Sequence, residues 1–261
     1  MSNSVVSVDA DLERRFGALR RLYGDAGYRR IRSLRVAVVG VGGVGSWAAE
    51  ALARSGVAAL TLIDLDHVAE SNVNRQVQAL GATLGAAKVD VLAERIADIH
   101  PECRVTKVEA FVDEGNWPAL LPAPVDALID ACDQVRAKVA LASWAHREAV
   151  PFICAGAAGG KQRAERVEIA DLAFTTHDPL LAALRQRLRK QHGFARAGAM
   201  GVNCVFSRET VAPPADAHCE VLQSDLSCHG YGSTVAVTAV FGLIAAGELL
   251  HRTAAPARAG A

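Results

Sequence analysis

A glycine-rich loop between an apolar strand and a helix limits this chain to a small group of folds. The loop spans residues 40–45 and reads GVGGVG; the run RVAVV precedes it and the helical segment SWAAEALAR follows it. Glycine allows a tight turn and a close approach of the backbone to a phosphate, and the helix N-terminus offers free N–H groups. We therefore expect the loop glycines to contact a nucleotide, be it NAD, FAD or ATP: Gly40, Gly42, Gly43 and Gly45.

The segments after the loop alternate between short apolar runs and helical patterns. LTLIDLD, RVTKVEAFV, VDALIDA and VPFICAG read as strands, and helical segments separate most of them. This order predicts an α/β protein with a Rossmann-like, doubly wound and mostly parallel sheet, followed by an α+β C-terminal extension. We expect a helical arm over 1–33, an ATP-binding core over 34–156, and a substrate or dimer region over 157–261 packed on the same domain.

Composition narrows the class further. The chain has 261 residues, equal numbers of acidic and basic residues, and enough apolar residues (51 %) for a substantial core. Its six cysteines form no CxxC pair, which argues against zinc and favours a reduced, cytoplasmic protein. The apolar stretch from Gly232 to Leu250 contains Ser233, Thr234 and Glu248, so we interpret it as a buried helix without stable membrane insertion.

Two acidic residues follow the second strand. Asp64 lies about 20 residues after the glycine loop, where a carboxylate accepts hydrogen bonds from both ribose hydroxyls of a nucleotide. Its negative charge also excludes a 2′-phosphate. Asp66 lies two residues further on and is a second candidate for nucleotide contact, although a solvated turn residue would look the same in the sequence.

The segment SNVNRQ and a lysine after it distinguish the nucleotides. A hydride-transfer enzyme needs no cations here, because the glycine loop binds its pyrophosphate. An enzyme that expels pyrophosphate from ATP must stabilise the leaving charge, and Arg75 and Lys88 supply a planar fork and a point charge. Polar neighbours in this segment are further candidates for nucleotide contact: Asn72, Asn74 and Gln76.

Two carboxylates end the VDALID strand at the same edge of the sheet. Asp130 and Asp133 lie in the segment DACDQVR. Magnesium keeps several waters and needs few protein ligands, so we assign magnesium binding to Asp133 and a packing or helix-capping role to Asp130.

Together these motifs resemble the ThiF/MoeB/HesA family, the bacterial relatives of ubiquitin-activating enzymes. GVGGVG, LIDLD, SNVNRQ, the lysine of LGAAK and DACDQVR occur in order between about residues 34 and 155. The resemblance implies ATP binding, adenylation of a carboxylate and a homodimer. It also implies an N-terminal arginine that completes the site, in some relatives from the partner subunit; Arg15 and Arg21 are the candidates.

The C-terminal third departs from the sulfur-carrier activators of this family, which contain zinc-binding CxxC pairs. DPLLAALRQRLRK, VNCVFSRE and CHGYGSTVAVTAVFG, with RRFGALRRLYG at the front, resemble the tRNA threonylcarbamoyladenosine dehydratase branch. That resemblance implies adenylation of the threonyl carboxylate of the modified base beside the anticodon. Attack by the carbamoyl group then closes a ring and releases AMP.

A tRNA substrate gives the basic segment after Pro179 a role. We expect phosphate contacts from Arg185, Arg189 and Lys190, although a solvated face of an amphipathic helix would show the same pattern. Cys228, beside His229, is a candidate nucleophile or sulfur acceptor from a cysteine desulfurase system, with a structural cysteine as the alternative. A monovalent cation in the glycine-rich loops is a further candidate ligand.

Three functions thus compete. The first is the tRNA-modifying dehydratase, and the second is an activator of a sulfur-carrier protein that ends in Gly-Gly. The third is a protein that binds nucleotide without catalysis or uses NAD. The absence of zinc cysteines argues against the second, and the combination of Arg75, Lys88 and Asp133 argues against the third.

The two predicted phosphate cations provide a direct test. Arg75→Ala or Lys88→Ala should remove on the order of 2–4 kcal/mol of transition-state stabilisation, because each variant leaves developing phosphate charge without its counter-ion. Steady-state turnover and ATP–pyrophosphate exchange would measure the loss. Near-normal turnover of either variant would contradict the assigned role.

Overall fold

The computed structural model describes residues 10–212 and 231–255 of the chain. Its centre is a seven-stranded sheet in the order β3-β2-β1-β4-β5-β7-β6. The strands are β1 (Arg35–Val39), β2 (Ala59–Ile63), β3 (Arg104–Val108), β4 (Ala127–Asp130), β5 (Phe152–Ala155), β6 (Val167–Asp171) and β7 (Asn203–Ser207). The helices are α1 (Leu12–Phe16), α2 (Ala18–Ser33), α3 (Gly45–Arg54), α4 (Lys88–Ile99), α5 (Val135–Arg147), α6 (Pro179–Gln191) and α7 (Val235–Ala254).

Helices cover both faces of the sheet. One hydrophobic core lies between the sheet and α3, α4 and α7, and a second lies between the sheet and α5 and α6. The central strands β1, β4 and β5 are almost fully buried, which explains their uninterrupted apolar sequences. The predicted mostly parallel, doubly wound α/β sheet is confirmed.

The chain order reverses between β1 and β4. Strands β2 and β3 extend the sheet on one side of β1, whereas β4 and β5 extend it on the other, all in parallel. Loops that leave β1 and β4 therefore diverge to opposite faces and open a crevice at the carboxyl ends of the strands. This crevice contains the predicted motifs.

The C-terminal part completes the same sheet. Strand β7 runs parallel to β5, and β6 pairs with it antiparallel at the edge. Asp178 begins α6 by accepting a hydrogen bond from the backbone N–H of Leu181 (2.9 Å), and a proline follows it at the first helical position. The region after residue 157 thus shares its hydrophobic core with the glycine-loop half.

The described part of the N-terminal arm is helical but is not one uninterrupted helix. Helix α1 ends at Phe16, and Gly24 interrupts α2 with a φ of +68°, a conformation that glycine adopts without strain. Amphipathic patterning continues through both interruptions, so the sequence pattern alone did not reveal them.

Helix α7 is the predicted buried helix. Among the described residues it has the length and hydropathy of a membrane span, but its apolar face packs on α3 and the sheet. At Gly242 the two helices are so close that a Cβ atom would lie 2.8 Å from the backbone nitrogen of Ala48 and 2.9 Å from Trp47 Cβ. The glycine is therefore required by the close crossing of α3 and α7.

This crossing predicts opposite effects for two glycines of α7. Gly242→Ala should lower the free energy of unfolding by about 1–3 kcal/mol, because the new methyl group forces the helices apart. Gly247→Ala is the matched control: its Cβ would meet no atom within 4 Å, and alanine favours the helix, so stability should rise by up to about 1 kcal/mol. Urea unfolding measures both, and equal effects would refute the packing argument.

Candidate functional site

The crevice between β1 and β4 opens into a cavity of about 620 Å³. Residues from the glycine loop, the end of β2, the SNVNRQ segment, α4 and the loop after β4 line it. Ten residues predicted from the sequence are among them: Gly40, Gly42, Gly43, Asp64, Asp66, Asn72, Arg75, Gln76, Lys88 and Asp133. The fold therefore brings together residues that lie far apart in the chain.

The glycine loop packs tightly against the loop after β4. Gly40 has a φ of +80°, and a Cβ atom there would lie 2.8 Å from the carbonyl oxygen of Ala131. Gly43 lines the cavity, and a Cβ on it would lie 3.4 Å from Arg75 Cδ. Gly45 was expected to contact a nucleotide, but it does not line the cavity. A Cβ on Gly45 would overlap the carbonyl oxygen of Gly40, so this glycine permits α3 to start close to β1.

Asp64 lies at the end of β2 and points back to the glycine loop. Its carboxylate accepts hydrogen bonds from the backbone N–H groups of Val41 (2.7 Å) and Asp66 (2.9 Å). Burial raises the pKa of Asp64, and the nearby Lys88 ammonium opposes this shift. Asp64 lines the cavity, which is the position that ribose binding by this carboxylate requires.

The two predicted cations line the same cavity. Lys88 is buried at the start of α4, and its Nζ lies 2.7 Å from the exposed carboxylate of Asp66. The Arg75 guanidinium donates to the carbonyl oxygen of Ser71 (2.6 Å) and to Asn74 Oδ1 (2.9 Å). These contacts orient both cations, and phosphate oxygens can replace them as acceptors.

The polar residues of SNVNRQ divide into two groups. Asn72 and Gln76 are buried and line the cavity. Asn74 was also expected to contact the nucleotide, but its exposed side chain lies outside the cavity. It donates to the carbonyl oxygen of Ser233 (2.9 Å) and thereby links this segment to the start of α7.

A buried ion pair beneath the cavity was missed in the sequence analysis. Lys138 Nζ lies 3.1 Å from Asp130 Oδ1 and donates to the carbonyl oxygen of Ala155 (2.7 Å), and both side chains are completely buried. Burial lowers the pKa of Lys138, but the carboxylate more than offsets this and the pKa is raised overall. The lysine in the apolar run AKVALA was the available signal for this contact.

Asp130 also organises the loop that carries Asp133. Its carboxylate accepts hydrogen bonds from the backbone N–H (3.1 Å) and the thiol (2.8 Å) of Cys132. Burial and this carboxylate raise the pKa of the Cys132 thiol, so the thiol stays neutral although Cys132 lines the cavity. A neutral thiol is a poor nucleophile, which leaves Cys132 a structural role.

Magnesium binding by Asp133 stays a prediction. The described residues contain no group of three histidine, cysteine or acidic side chains placed to hold a metal. Asp133 nevertheless lines the cavity with an exposed carboxylate, and one carboxylate is enough for a magnesium ion that also binds phosphate oxygens and water.

Neither N-terminal arginine reaches the cavity of its own chain. Arg15 donates to the carbonyl oxygens of Asp98 (2.9 Å) and Ile99 (2.6 Å) and so caps the C-terminal end of α4, the end away from Lys88. Arg21 is exposed on α2 and does not line the cavity. Of the two sources that the family resemblance allows, a contribution from the partner subunit therefore stays a prediction.

The predicted tRNA contacts on α6 are only partly available. Arg185 was expected to contact a tRNA phosphate. Its guanidinium instead donates to the backbone oxygens of Leu172 and Thr175 (3.0 Å each) and stabilises the loop before α6. Arg189 is half-buried and donates to the carbonyl oxygen of Ala195, whereas Lys190 is exposed. Cys228 lies outside the described residues.

The geometry defines a class of protein. A doubly wound sheet with a glycine loop at its switch point, a carboxylate after β2, and a lysine and an arginine in one cavity is a nucleotide-binding α/β protein with counter-ions for phosphate. Residues 15–258 match the ThiF family, and the chain belongs to this family.

Relatives of known function cover nearly the whole chain. The chain is 42 % identical to tRNA threonylcarbamoyladenosine dehydratase of Escherichia coli (strain K12) over 97 % of its length and 98 % of the relative. The Haemophilus influenzae enzyme of the same name is 36 % identical, with the same coverage. The crystal structure of the E. coli enzyme in complex with ATP superposes with a TM-score of 0.84, covering 94 % of this chain and 96 % of that one at 41 % identity.

Removal of the Lys138 ammonium from the buried ion pair should reduce both protein stability and nucleotide affinity. Lys138→Met leaves Asp130 as an uncompensated buried charge and should lower the free energy of unfolding by about 3–5 kcal/mol. The Asp133 loop should loosen at the same time, so ATP affinity should fall. Urea unfolding and titration calorimetry with ATP measure the two effects.

A double variant is the matched control. Asp130→Asn combined with Lys138→Met removes both charges, so it should recover much of the lost stability. A single Lys138→Met variant as stable as the double variant would show that the Asp130 charge needs no partner.

Proposed function

We propose that this chain is an ATP-dependent tRNA threonylcarbamoyladenosine dehydratase. It adenylates the threonyl carboxylate of the modified adenosine next to the anticodon and promotes its cyclisation. The observation that carries the proposal is the single cavity in which the glycine loop, Asp64, Arg75, Lys88 and Asp133 meet. Sequence identity along nearly the full length of enzymes with this name supports the choice of substrate.

The reaction has two steps with balanced atoms. A carboxylate oxygen of the substrate attacks the α-phosphorus of ATP, the bond to the bridging oxygen breaks, and pyrophosphate leaves. The neighbouring carbamoyl nitrogen or oxygen then attacks the acyl carbon, AMP leaves with that carboxylate oxygen, and one proton is released. The substrate thus loses one water, and high effective molarity favours the intramolecular ring closure without an enzyme nucleophile.

The residues of the cavity divide the work. Asp64 accepts the ribose hydroxyls, and the backbone of Gly42 and Gly43 approaches the phosphates. Lys88 and Arg75 stabilise the negative charge that develops on pyrophosphate, because both lie in the same cavity as the glycine loop. Asp66, which contacts Lys88 at 2.7 Å, holds the ammonium in place before ATP arrives. Asn72 and Gln76 donate to phosphate oxygens.

Asp133 is the residue that would hold magnesium. The ion supplies charge neutralisation and orientation of the phosphate oxygens when bound. Asp130 and Lys138 position the loop that carries Asp133, since the Asp130 carboxylate accepts the backbone N–H of Cys132 at 3.1 Å. A monovalent cation, if the glycine-rich loops bind one, would be additional.

The remaining partners are part of the same proposal. The exposed cations Lys190 on α6 and Arg136 at the start of α5 contact tRNA phosphates. A homodimer supplies an N-terminal arginine to the site in trans, since Arg15 and Arg21 do not reach the cavity of their own chain. Cys228 is the candidate acceptor for a cysteine desulfurase system. A cytoplasmic location is consistent with ATP and tRNA as the proposed substrates.

Isotope-labelled tRNA tests the proposed reaction. The protein is incubated with ATP, magnesium and tRNA that bears threonylcarbamoyladenosine with an 18O-labelled threonyl carboxylate. We expect a nucleoside lighter by one water, pyrophosphate as the second product, and one 18O atom in AMP, because the attacking carboxylate oxygen leaves with AMP. Mass spectrometry of the nucleosides and of AMP measures all three.

Two outcomes would contradict the proposal. An unchanged nucleoside mass would exclude the dehydratase reaction, and labelled inorganic phosphate together with ADP would exclude adenylation. tRNA in which the threonyl carboxylate is esterified is the matched control, and it should give neither pyrophosphate nor product.

A further inference from the structure

A third buried lysine, Lys161, lies outside the machinery described above. The Lys161 side chain is 2 % exposed, and its ammonium donates to the backbone carbonyl oxygens of His177 (2.9 Å) and Glu209. Burial lowers the pKa of Lys161, while the carboxylates of Asp178 and Glu209 oppose the shift. Burial of an ammonium costs free energy, and its hydrogen bonds to backbone carbonyls offset part of that cost. Such a position indicates a role inside the protein and not at its surface.

The three segments that meet at Lys161 each continue directly into the cavity wall. Lys161 follows residues 156–159, of which all four line the cavity. His177 lies two residues before Pro179, and Glu209 lies two residues before Val211. Pro179 and Val211 also line the cavity. One ammonium therefore joins the loop after β5, the loop before α6 and the segment after β7.

Two carboxylates strengthen the same junction. Asp178 accepts a hydrogen bond from the backbone N–H of Ala157 (2.8 Å), and Glu209 accepts bonds from the backbone N–H groups of Gln162 (3.1 Å) and Arg163 (3.0 Å). His177 has a φ of +57°, which is strained for a residue with a side chain. The contacts of its carbonyl oxygen with Lys161 help to hold this strained turn.

The wall built in this way lies on the β5 side of the crevice. The predicted nucleotide contacts Gly43, Asp64, Arg75 and Lys88 come from the β1 and β2 side. Backbone of residues 156–159 and the apolar side chains of Pro179, Leu180 and Val211 form the opposite wall. A wall of apolar side chains and backbone polar groups, without a cation among these residues, fits an uncharged base and its carbamoyl group better than a triphosphate.

We infer that Lys161 is a positioning residue for the modified nucleoside of the tRNA substrate. It acts by joining its own segment to the other two wall segments through the carbonyl oxygens of His177 and Glu209. The inference rests on the proposed function. Removal of the ammonium leaves two buried carbonyl oxygens without a donor, so the wall shifts while the nucleotide contacts across the crevice stay in place.

Lys161→Met tests this division because methionine fills the space without the charge. We expect kcat/KM for threonylcarbamoyladenosine-bearing tRNA to fall at least about tenfold, whereas the Kd for ATP stays within about threefold of wild type. Steady-state kinetics with the full-length protein and titration calorimetry with ATP give the two values. Lys107→Met is the matched control, because the exposed Lys107 of β3 pairs with Asp90 of α4 at the protein surface. This variant should change neither value.

Chemical rescue separates positioning from a general folding defect. Lys161→Ala leaves room for propylammonium, which replaces the missing carbons and the nitrogen, so its addition should restore activity. The same amine should not help Lys161→Met, in which the side chain occupies the space. Rescue of this kind tests the ammonium itself even if both variants lose stability.

Four results would overturn the inference: unchanged kcat/KM in Lys161→Met, a parallel loss of ATP affinity, an absence of rescue in Lys161→Ala, and rescue of Lys161→Met by the amine. A failure of the proposed function would look different, because the wild-type chain would then leave the tRNA nucleoside unchanged. Wild-type conversion together with an unaffected Lys161→Met variant would reject only the role of Lys161.

Discussion

The site depends on the close contact of two loops at the point where the sheet reverses its order. Gly40 lies against the backbone of Ala131 and Cys132 with no room for a side chain, and a Cβ atom on Gly45 would overlap the carbonyl oxygen of Gly40. This contact brings the first turn of α3 and the start of α5 to one crevice. A larger residue at Gly40 would separate the glycine loop from Asp133, so the nucleotide contacts of β1 and β4 are structurally coupled.

Two buried lysines then organise the two halves of the crevice. Lys138 pairs with Asp130 beneath the loop that carries Asp133, and Lys161 joins the three wall segments on the β5 side. A buried ion pair of this kind contributes little net stability compared with apolar residues of the same size. Its value here is geometric, because charged hydrogen bonds fix carbonyl and carboxylate positions that apolar packing would leave less defined.

The cations at the cavity illustrate how far sequence reasoning reaches. Arg75 and Lys88 were assigned from residue type and order, and the fold places both at the cavity with Asp64 and the glycine loop. The sequence did not show that three polar side chains bond elsewhere in their own chain: Asn74 bonds to the start of α7, Arg185 bonds to the loop before α6, and Arg15 caps α4. All three are polar side chains that satisfy backbone carbonyls, which a pattern of residue types does not show.

Sequence by itself determined the order of strands and helices, the parallel sheet, the position of the crevice and most of the polar residues that line it. These follow from local rules: hydrophobic periodicity, glycine conformation and the right-handed crossover. Only the tertiary structure decided that Lys138 meets Asp130, that Lys161 joins three segments, and that Gly242 lies against α3. Each of these contacts joins residues from separate elements, and their distance depends on how whole helices pack, which no local pattern encodes.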